Sequence, residues 1–288
     1  MMINVDNGSV RKACLLGWPV AHSRSPLIHN TWLKGFGING VYDKRAVAPE
    51  NFAQFLKHDL RSLGYVGANV TVPHKEAAFH LADKKDDMAH AVQAANTLWF
   101  EGDVLCASNT DVYGFISYLQ VCAPLWAKTQ RPVVVLGAGG AARAIVYGLL
   151  QEHVCELRLL NRTRTKAEEL EGFFEGPIRV FDWQERDDAL KDCGLLVNTT
   201  SLGMTGKPEL LINLDGLAEH SVVFDIVYAP LETGLLKQAK VKGHIGVDGL
   251  GMLLHQAVPG FHKWFDVKPE VTEELYDCVV KDLMRVEI

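Results

Sequence analysis

Residues 132–143 read Pro-Val-Val-Val-Leu-Gly-Ala-Gly-Gly-Ala-Ala-Arg. The apolar run from Val133 to Leu136 has no polar alternation, which predicts a strand buried on both faces. It continues into Gly137, Gly139 and Ala142, which have the G-x-G-x-x-[G/A] spacing of a dinucleotide-binding turn. The first glycine permits a tight turn, the second lets a pyrophosphate approach the backbone, and the small third residue lets the helix pack closely. The stretch therefore predicts a strand, a phosphate-binding turn and a helix, with an ordinary strand-to-helix turn as the alternative.

The next predicted strand, residues 157–160, indicates which dinucleotide would bind. Folds that bind NAD usually place an Asp or Glu near the end of this strand, where it holds the ribose 2′-hydroxyl. Here residues 161–164 read Asn-Arg-Thr-Arg and contain no carboxylate. The guanidinium groups of Arg162 and Arg164 suit a 2′-phosphate, so the sequence favours NADP. The alternative is a solvated pair of arginines at the start of a helix.

Length and composition limit the number of domains and the kinds of partner. A chain of 288 residues is about twice the usual size of a domain, so we expect two domains. The formal net charge of -6 provides no basic surface for nucleic acid. Residues 1–6 show no signal pattern, and no apolar run approaches the roughly 20 residues that cross a bilayer. We therefore expect a cytoplasmic monomer or homodimer that binds a small molecule and neither a membrane nor nucleic acid.

The cysteine pattern does not suggest a metal site. The cysteines lack Cys-x-x-Cys and Cys/His ligand spacing, and several fall within apolar segments. We expect reduced core residues rather than metal ligands or disulfides. The residues concerned are Cys14, Cys106, Cys122, Cys155, Cys193 and Cys278.

In the first half of the chain, predicted strands and helices alternate, which indicates a parallel sheet. After the first strand, the sequence predicts a helix with Ser25 as its N-cap and Pro26 as its first residue. Ser23 is not needed as a cap, and two hydroxyl groups at a helix N-terminus can hold a carboxylate. These residues alone support a carboxylate clamp and simple capping equally.

The third predicted strand, residues 67–72, carries polar side chains on one face. Asn69 and Thr71 alternate there with valines, a pattern typical of a binding site rather than of a buried strand. Lys75 follows at the carboxyl end, the edge where open α/β sheets bind ligands. A solvated lysine at a helix start is the alternative. Asp111 stands in the first turn of a later helix, where the helix dipole favours a carboxylate. The alternative to a functional role for Asp111 is therefore stabilisation of the helix N-terminus.

Two further segments follow the carboxyl ends of predicted strands in the second half of the chain. Residues 198–204 form a polar loop after a buried strand and would face the cofactor. Asp225 stands within an apolar strand, where an unpaired carboxylate is costly. Tyr228 follows that strand into the same crevice.

Five segments, in order along the chain, resemble signatures of the shikimate dehydrogenase family. Gly-x-Pro-x-x-His-Ser-x-Ser-Pro-x-x-His-Asn stands at residues 17–30, and Asn-Val-Thr-x-Pro-x-Lys stands at 69–75. Asn-Thr-Asp-x-x-Gly stands at 109–114, Asn-Arg-Thr at 161–163, and Gly-x-x-Met-Leu-x-x-Gln-Ala at 249–257. Each motif is short, but five in the family's order and spacing make the resemblance specific.

The resemblance implies an α/β enzyme of two domains with a cleft between them. Residues 1–111 and 249–288 would form a substrate-binding domain with a mostly parallel sheet. Residues 112–248 would form a Rossmann-type domain that binds NADP. The implied reaction is the reversible, metal-independent reduction of 3-dehydroshikimate to shikimate in aromatic amino acid biosynthesis.

The resemblance also implies roles for individual residues. Lys75 and Asp111 would be the catalytic pair, and either could pass the proton. Ser23 and Ser25 would hold the substrate carboxylate. The other substrate-binding residues would be Asn69, Thr71, Asn96, Tyr228 and Gln256. The cofactor-binding residues would be Gly137, Ala138, Gly139, Gly140, Ala141, Asn161, Arg162, Thr163, Arg164, Thr200, Ser201, Gly203, Met204, Ile226, Gly249 and Met252.

The chain departs from the family's usual pattern at two places. The family usually has Gly-Ala-Val-Asn-Thr where this chain has Gln93-Ala94-Ala95-Asn96-Thr97, and it usually has Gly where this chain has Ala107. Both positions shape the backbone, so the departures leave the chemistry intact and concern only the local loop geometry.

Two other functions are compatible with the same fold. One is a relaxed quinate/shikimate dehydrogenase that uses NAD, which Arg162 and Arg164 disfavour because no carboxylate stands near them. The other is a non-catalytic ligand-sensing module, which the presence of both Lys75 and Asp111 disfavours because a sensor need not keep both.

Overall fold

The computed structural model describes residues 10–286, so residues 1–6, where we expect no signal sequence, lie outside the described residues. The chain divides into two compact units. Unit one comprises Met1–Thr110 and Ala257–Val279, and unit two comprises Asp111–Gln256 and Val280–Ile288. A division by packing does not test which ligand each unit binds, so the boundaries of the two binding domains stay a prediction.

Unit one alternates strands with helices, as the sequence predicts. Its elements are β1 (Arg11–Gly17), α1 (Ser25–Gly35), β2 (Gly40–Ala46), α2 (Pro49–Gln54), α3 (Leu60–Ser62), β3 (Tyr65–Val70), α4 (Lys75–Leu81), β4 (Lys84–Lys85), α5 (Asp87–Val92), β5 (Thr97–Glu101) and β6 (Val104–Ser108), with a π-helical turn at Phe55–Asp59. The strands form a six-stranded sheet of order β2-β1-β3-β5-β6-β4. Strand β1 runs parallel to β2 and β3, and the β5–β6 hairpin adds the antiparallel pairs. The prediction of a mostly parallel sheet is confirmed.

Unit two contains the strand, turn and helix of residues 132–143. Its elements are α6 (Asp111–Cys122), β7 (Val133–Leu136), α7 (Gly140–Gln151), β8 (Leu157–Leu160), α8 (Arg164–Phe173), β9 (Ile178–Phe181), α9 (Arg186–Ala189), β10 (Cys193–Asn198), β11 (Leu217–Asp225), α10 (Gly234–Val241) and β12 (Ile245–Val247), and it shares α11 (Gly249–Phe265) and α12 (Glu273–Val286) with unit one. The strands form a six-stranded sheet of order β12-β11-β10-β7-β8-β9, and every pair is parallel. The predicted Rossmann-type fold is confirmed.

The central strand of unit two shows why its sequence is apolar without alternation. Val133 and Val135 pack into the core on the face that α6 and α7 cover. Val134 and Leu136 point the other way, into a second core that contains Leu235 of α10. Because successive strand residues face opposite sides, a strand covered on both sides needs an apolar residue at each position.

The last turns of α11 pack directly on the sheet of unit one. A Cβ atom at Gly67 of β3 would lie 2.2 Å from Nε1 of Trp264, so only glycine allows this approach. The same indole nitrogen donates a hydrogen bond of 2.8 Å to the backbone oxygen of Leu98 in β5. The helix is therefore held at a fixed height above the strands that carry the polar residues of unit one.

Some elements differ from the sequence prediction. The sequence pattern does not predict α5, α10 and β12, which are only 6, 8 and 3 residues long. The third strand covers Tyr65–Val70, so Thr71 follows the strand instead of lying inside it. Among the cysteines, Cys14, Cys106 and Cys193 are buried, but Cys155 is exposed, so the expectation of core cysteines is wrong for that residue.

Within residues 10–286, none of the helices combines the length and apolar character needed to cross a membrane. That part of the chain also contains no group of three or more His, Cys, Asp and Glu side chains arranged to hold a metal ion.

Candidate functional site

The predicted substrate residues of unit one gather where β1 and β3 end. The two strands are parallel, and Leu15 of β1 lies opposite Asn69 of β3. Beyond the strands, the backbone N–H of Thr71 still donates to the oxygen of Leu16, at 2.8 Å. The carboxyl ends of both strands therefore lie at the same edge of the sheet, where α/β folds bind ligands.

The start of α1 differs from the predicted cap. The N-cap residue is Arg24, and Ser25 is the first residue of the helix, so the prediction of Ser25 as N-cap is wrong. Instead, the Ser23 oxygen accepts a hydrogen bond of 3.2 Å from the backbone N–H of Ser25. The two hydroxyl groups also lie 3.2 Å apart, with Ser23 donating to Ser25. The serine that bonds the helix backbone is therefore Ser23, and the hydroxyl pair itself stays a candidate for binding a carboxylate.

Asn69 and Asn96 form the centre of a buried polar network. Asn69 Nδ2 donates to the backbone oxygen of Asn96 at 3.1 Å and to Thr97 Oγ1 at 3.2 Å. Asn96 Oδ1 accepts from the backbone N–H of Thr110 at 2.8 Å and from the hydroxyl groups of Thr97 and Thr110, both at 3.1 Å. The two amides are 4% and 2% exposed, so their orientation is set by these bonds rather than by water.

Lys75 is placed beside this network by the backbone. It is the first residue of α4, and its backbone oxygen accepts a hydrogen bond of 2.9 Å from the N–H of Ala95, the residue before Asn96. Its side chain is partly exposed. Unit one therefore contains Ser23, Ser25, Asn69, Thr71, Asn96 and Lys75 at one edge of its sheet.

The predicted phosphate-binding turn lies between β7 and α7 in unit two. Gly137 has φ of +108°, and a Cβ atom there would lie 2.5 Å from Thr199 Oγ1, so the turn requires glycine on both counts. Cβ atoms added at Gly139 and Gly140 would meet nothing within 4 Å. No side chain of the described residues caps the N-terminus of α7. An uncapped helix start beneath open space fits the pyrophosphate of a dinucleotide.

The two arginines after β8 have different surroundings. Arg164 forms ion pairs with Glu168 at 2.7 Å and with Asp182 at 2.9 Å, and these carboxylates raise its pKa. Arg162 is exposed, and within residues 10–286 no carboxylate pairs with it. A 2′-phosphate would have to compete with two carboxylates for Arg164 but with none for Arg162. The fit to NADP therefore rests mainly on Arg162.

The loop after β10 is organised from within the protein. Asn198 is fully buried, and its Oδ1 accepts from the backbone N–H of Thr200 at 3.0 Å and from the Thr200 hydroxyl at 2.7 Å. Its Nδ2 donates to Asp225 at 2.9 Å. Ser201 and Met204 are exposed on the same loop, and Gly203 has φ of +84°. Ser201 and Met204 can thus meet a ligand, while Asn198 fixes the loop.

The buried Asp225 carboxylate has hydrogen-bond partners, so it avoids the free-energy penalty of an unpaired buried charge. It is fully buried and accepts hydrogen bonds from Asn198, from the backbone N–H of Val227 at 3.1 Å and from the Thr233 hydroxyl at 2.7 Å. Burial raises the pKa of Asp225 to about 6, and the three hydrogen bonds oppose that rise. The sequence indicates that Asp225 needs partners but does not identify them, since they come from three separate segments.

The remaining candidates lie in unit two. Asp111 is buried in the first turn of α6. A Cβ atom at Gly114 would lie 2.6 Å from the Cβ of Gln256, so α6 and α11 approach closely at this glycine. The Gln256 amide donates to the backbone oxygen of Leu253 at 3.0 Å. Tyr228 is partly exposed after β11, and Met252 is buried in the core that contains Phe115.

Family models and known relatives agree with this arrangement. A model of the shikimate dehydrogenase substrate binding domain matches residues 15–98, and a model named shikimate / quinate 5-dehydrogenase matches residues 125–226. A shikimate dehydrogenase (NADP(+)) from Rhodopseudomonas palustris strain TIE-1 is 53% identical over 273 residues, which cover 95% of this chain and 97% of that protein. The chain belongs to the shikimate dehydrogenase family. The expectation drawn from its five motifs is confirmed.

Solved structures of this family share the fold but differ in cofactor. The structure of shikimate 5-dehydrogenase from Thermus thermophilus in complex with NADP(H) and shikimate has a TM-score of 0.82 and 31% identity, covering 96% of this chain and 99% of that one. Quinate dehydrogenase from Corynebacterium glutamicum, in complex with NAD, has a TM-score of 0.87 and 26% identity, covering 94% and 99%. Within the shikimate dehydrogenase family, the choice of dinucleotide therefore has to be argued from residues such as Arg162.

Proposed function

We propose that this protein catalyses the NADP-dependent interconversion of 3-dehydroshikimate and shikimate, a step of aromatic amino acid biosynthesis. The observation that carries the proposal is the buried cluster of Ser25, Asn69 and Asn96 beside Lys75 at one edge of the unit-one sheet. Internal hydrogen bonds fix the orientation of Asn69 and Asn96, so this cluster can present polar groups to a polar ligand without rearrangement. A relative that is 53% identical and named shikimate dehydrogenase (NADP(+)) supports the choice of ligand.

The polar cluster suits a small, highly hydroxylated acid. The hydroxyl groups of Ser23 and Ser25 would hold the substrate carboxylate at the start of α1, where the helix dipole favours negative charge. The amide and hydroxyl groups of the remaining residues would bond the ring hydroxyls, and Tyr228 would lie near the substrate. The remaining residues are Asn69, Thr71, Asn96 and Gln256.

The catalytic roles follow from the charge that develops during reduction. Bound NADPH would supply a hydride to the carbonyl carbon, which leaves negative charge on the oxygen. The ammonium group of Lys75 would stabilise that charge and donate a hydrogen bond to the oxygen. Asp111 would hold Lys75 protonated and oriented, and one of the two would transfer the proton. The proposed chemistry is metal-independent because the Lys75 ammonium would supply the positive charge.

The cofactor would bind unit two at the turn after β7. The uncapped N-terminus of α7 and the open space at Gly139 would receive the pyrophosphate. Arg162 would pair with the 2′-phosphate, as argued from its lack of a carboxylate among the described residues. Further contacts would come from the other proposed cofactor residues, Gly137, Ala138, Gly140, Ala141, Asn161, Thr163, Arg164, Thr200, Ser201, Gly203, Met204, Ile226, Gly249 and Met252.

The finer assignments made from the sequence remain part of this proposal. Residues 1–111 and 249–288 would bind the substrate, and residues 112–248 would bind NADP. The protein would act in the cytoplasm as a monomer or homodimer, without nucleic-acid or membrane partners.

Initial rates on 3-dehydroshikimate with NADPH and with NADH test the proposal. We expect a clear preference for NADPH, because NADH lacks the phosphate that would pair with Arg162. Equal rates with both cofactors would instead favour a relaxed quinate/shikimate dehydrogenase, and quinate should then also be oxidised. Binding of shikimate without turnover by either cofactor would favour a ligand-sensing module.

A further inference from the structure

Tyr42 lies directly behind a predicted substrate residue. It stands in the middle of β2, is 1% exposed, and its hydroxyl lies 2.7 Å from Asn69 Oδ1. The Ser25 side chain is also near enough to this hydroxyl to affect it, because it lowers a Tyr42 pKa that burial raises well above the usual range. A phenol that is fully enclosed cannot contact the substrate, so any effect on binding must pass through its neighbours.

The orientation of the Asn69 amide can be read from its partners. The backbone oxygen of Asn96 can only accept a hydrogen bond, so the group 3.1 Å from it must be the Nδ2 of Asn69. The second Nδ2 hydrogen points to Thr97 Oγ1 at 3.2 Å. A flipped amide would place two acceptor oxygens against each other. The Asn69 oxygen must therefore face Tyr42, which makes the Tyr42 hydroxyl the donor.

The Tyr42 side chain is held rigidly for this purpose. Its backbone N–H and oxygen both bond the side chain of Asn30, at 3.0 Å and 2.8 Å. Its ring stacks on the imidazole of His29, with centroids 4.0 Å apart and planes 10° apart, and the ring of Trp264 lies 5.8 Å away. Both the backbone and the ring of Tyr42 are thus held in place, so its hydroxyl donates to Asn69 from a fixed position.

We propose that Tyr42 is a positioning residue that makes Asn69 a pure acceptor toward the ligand. The inference rests on the proposed function, since it concerns the substrate of the same site. Both N–H groups of Asn69 are used inside the protein, and its oxygen has one lone pair left after Tyr42. The ligand must then offer a hydroxyl hydrogen to Asn69. A ketone oxygen, which can only accept, must bind elsewhere, against donors such as Lys75.

Steady-state kinetics of the full-length Tyr42→Phe variant test this role. The substitution keeps the ring stack and removes the hydroxyl, so Asn69 loses the partner that fixes its oxygen. We expect the KM for shikimate to rise about tenfold, as for the loss of one buried hydrogen bond, and kcat to change less than about threefold. The KM for NADP should stay within about twofold, because unit two is untouched.

Tyr65→Phe is the matched control. Tyr65 is also a buried tyrosine of the unit-one sheet, and its hydroxyl donates to Asp43 at 2.8 Å, away from the proposed binding residues. The Tyr65 hydroxyl also accepts from Arg45 Nε at 2.6 Å, so Tyr65→Phe loses at least as much hydrogen bonding as Tyr42→Phe, but it should not change the KM for shikimate. Equal KM values for the two variants would show that Tyr42 serves only packing and would overturn the inference. Failure of the wild-type protein to oxidise shikimate with NADP would instead contradict the proposed function.

Ligand analogues test, in the wild-type protein, whether Asn69 acts only as a hydrogen-bond acceptor toward the ligand. This test does not depend on a variant that folds. Each hydroxyl of shikimate that is not oxidised is replaced in turn by an amino group, which donates, or by fluorine, which does not. At one ring position the amino analogue should compete with shikimate about tenfold better than the fluoro analogue. Equal inhibition by both analogues at every position would show that Asn69 does not require a donor, against the proposal.

Discussion

His29 in unit one and Asp225 in unit two are both fully buried titratable side chains close to a proposed binding site, but their surroundings are opposite. Asp225 accepts three hydrogen bonds. For His29, residues 10–286 provide no hydrogen-bond partner to either ring nitrogen. Hydrogen-bond donors surround the Asp225 carboxylate, whereas aromatic rings surround the His29 imidazole. The two environments indicate two different ways of supporting a site.

Asp225 supports its site by joining separate segments. Its three donors belong to the end of β10, to the turn after β11 and to the residue before α10. One of them, Thr233, also caps α10 by accepting from the N–H of Leu236 at 3.3 Å. The proposed cofactor loop and the segment that carries Tyr228 are therefore fixed through one carboxylate, which a residue without its two acceptor oxygens could not replace.

His29 supports its site by shape. Its ring stacks on Tyr42 and lies 5.7 Å from Trp32 and 5.9 Å from Phe261. Burial lowers its pKa to about 3, and the nearby Asn69 side chain opposes only part of that shift. The imidazole is therefore neutral at neutral pH and acts as a flat aromatic surface beneath Tyr42. At these two positions, therefore, unit one supports its polar layer by aromatic packing, whereas unit two joins its loops by hydrogen bonds.

The largest expected effect concerns chemistry in unit one. Lys75→Ala should lower kcat by roughly a hundred- to a thousandfold and change both KM values much less, because its charge would act mainly on the developing oxyanion. Steady-state rates with shikimate and NADP measure this. Lys84→Ala, which removes a lysine paired with Glu101 at the surface of the same unit, should leave kcat unchanged. A folded Lys75→Ala enzyme with more than about a tenth of the wild-type kcat would contradict the catalytic assignment.

The next effect concerns the cofactor in unit two. Arg162→Ala should raise the KM for NADP about ten- to a hundredfold through loss of a charge-assisted bond to phosphate, and should leave the KM for shikimate unchanged. Arg164→Ala is the matched control, since Glu168 and Asp182 already hold that guanidinium group. Its effect on the KM for NADP should be less than about threefold. Equal effects of the two variants would show that the 2′-phosphate displaces those carboxylates.

The sequence predicts those parts of the molecule whose signals are local. The strand, turn and helix from Val133 to Gln151 follow from adjacent apolar residues and glycines, and they are confirmed. Helix α10 is not predicted, because its start depends on Thr233, whose hydroxyl is held by the distant Asp225. A helix boundary is also hard to predict where two neighbouring hydroxyl residues compete, as at Ser23 and Ser25.

The sequence predicts the candidate site as a set of residues but not as a network. The polar face of the third predicted strand indicates Asn69, and the resemblance to a family adds Asn96; both remain proposals as ligand contacts. The partner that orients Asn69 is Tyr42, 27 positions earlier in the chain, and no local pattern marks that pair. The ion pair of Arg164 with Asp182 likewise joins the start of α8 to the residue after β9. Such contacts exist only after the strands are placed side by side.

A smaller effect, on stability, tests the contrast between the two buried groups. The folded pKa of His29 is about 3, and that of an unfolded histidine is about 6.5, so the unfolded state binds the proton first as pH falls. His29 therefore lowers the free energy of unfolding below about pH 6.5, by about 2 kcal/mol between pH 7 and pH 5. His29→Phe keeps an aromatic ring under Tyr42 but cannot bind this proton. In urea unfolding, the variant should therefore lack the His29 contribution to the fall in the free energy of unfolding between pH 7 and pH 5.

The sign is reversed for Asp225. Its folded pKa of about 6 lies above that of an unfolded aspartate, so its contribution to stability is present at low pH and declines as pH rises through about 6. Removing His29 should therefore make the loss of stability on mild acidification smaller, with the rest of the profile set by Asp225 and by His244 and His255, whose pKa values burial lowers. A profile of His29→Phe that matches the wild type would show that the imidazole is not kept neutral by burial.

The smallest effect concerns Gln93, at the end of α5 and shortly before Asn96. Gln93 has φ of +49° and ψ of +36°, a left-handed conformation in which glycine avoids the steric cost of a Cβ atom. The family usually has Gly here, and this chain adopts the left-handed backbone with a larger residue. Gln93→Gly should raise the free energy of unfolding by about 0.5 to 1 kcal/mol, because relief of strain exceeds the added entropy of the unfolded chain. Urea unfolding measures this change. Gln93→Ala, which keeps the Cβ atom, should not be stabilising, and a gain equal to that of the glycine variant would show that the strain lies elsewhere.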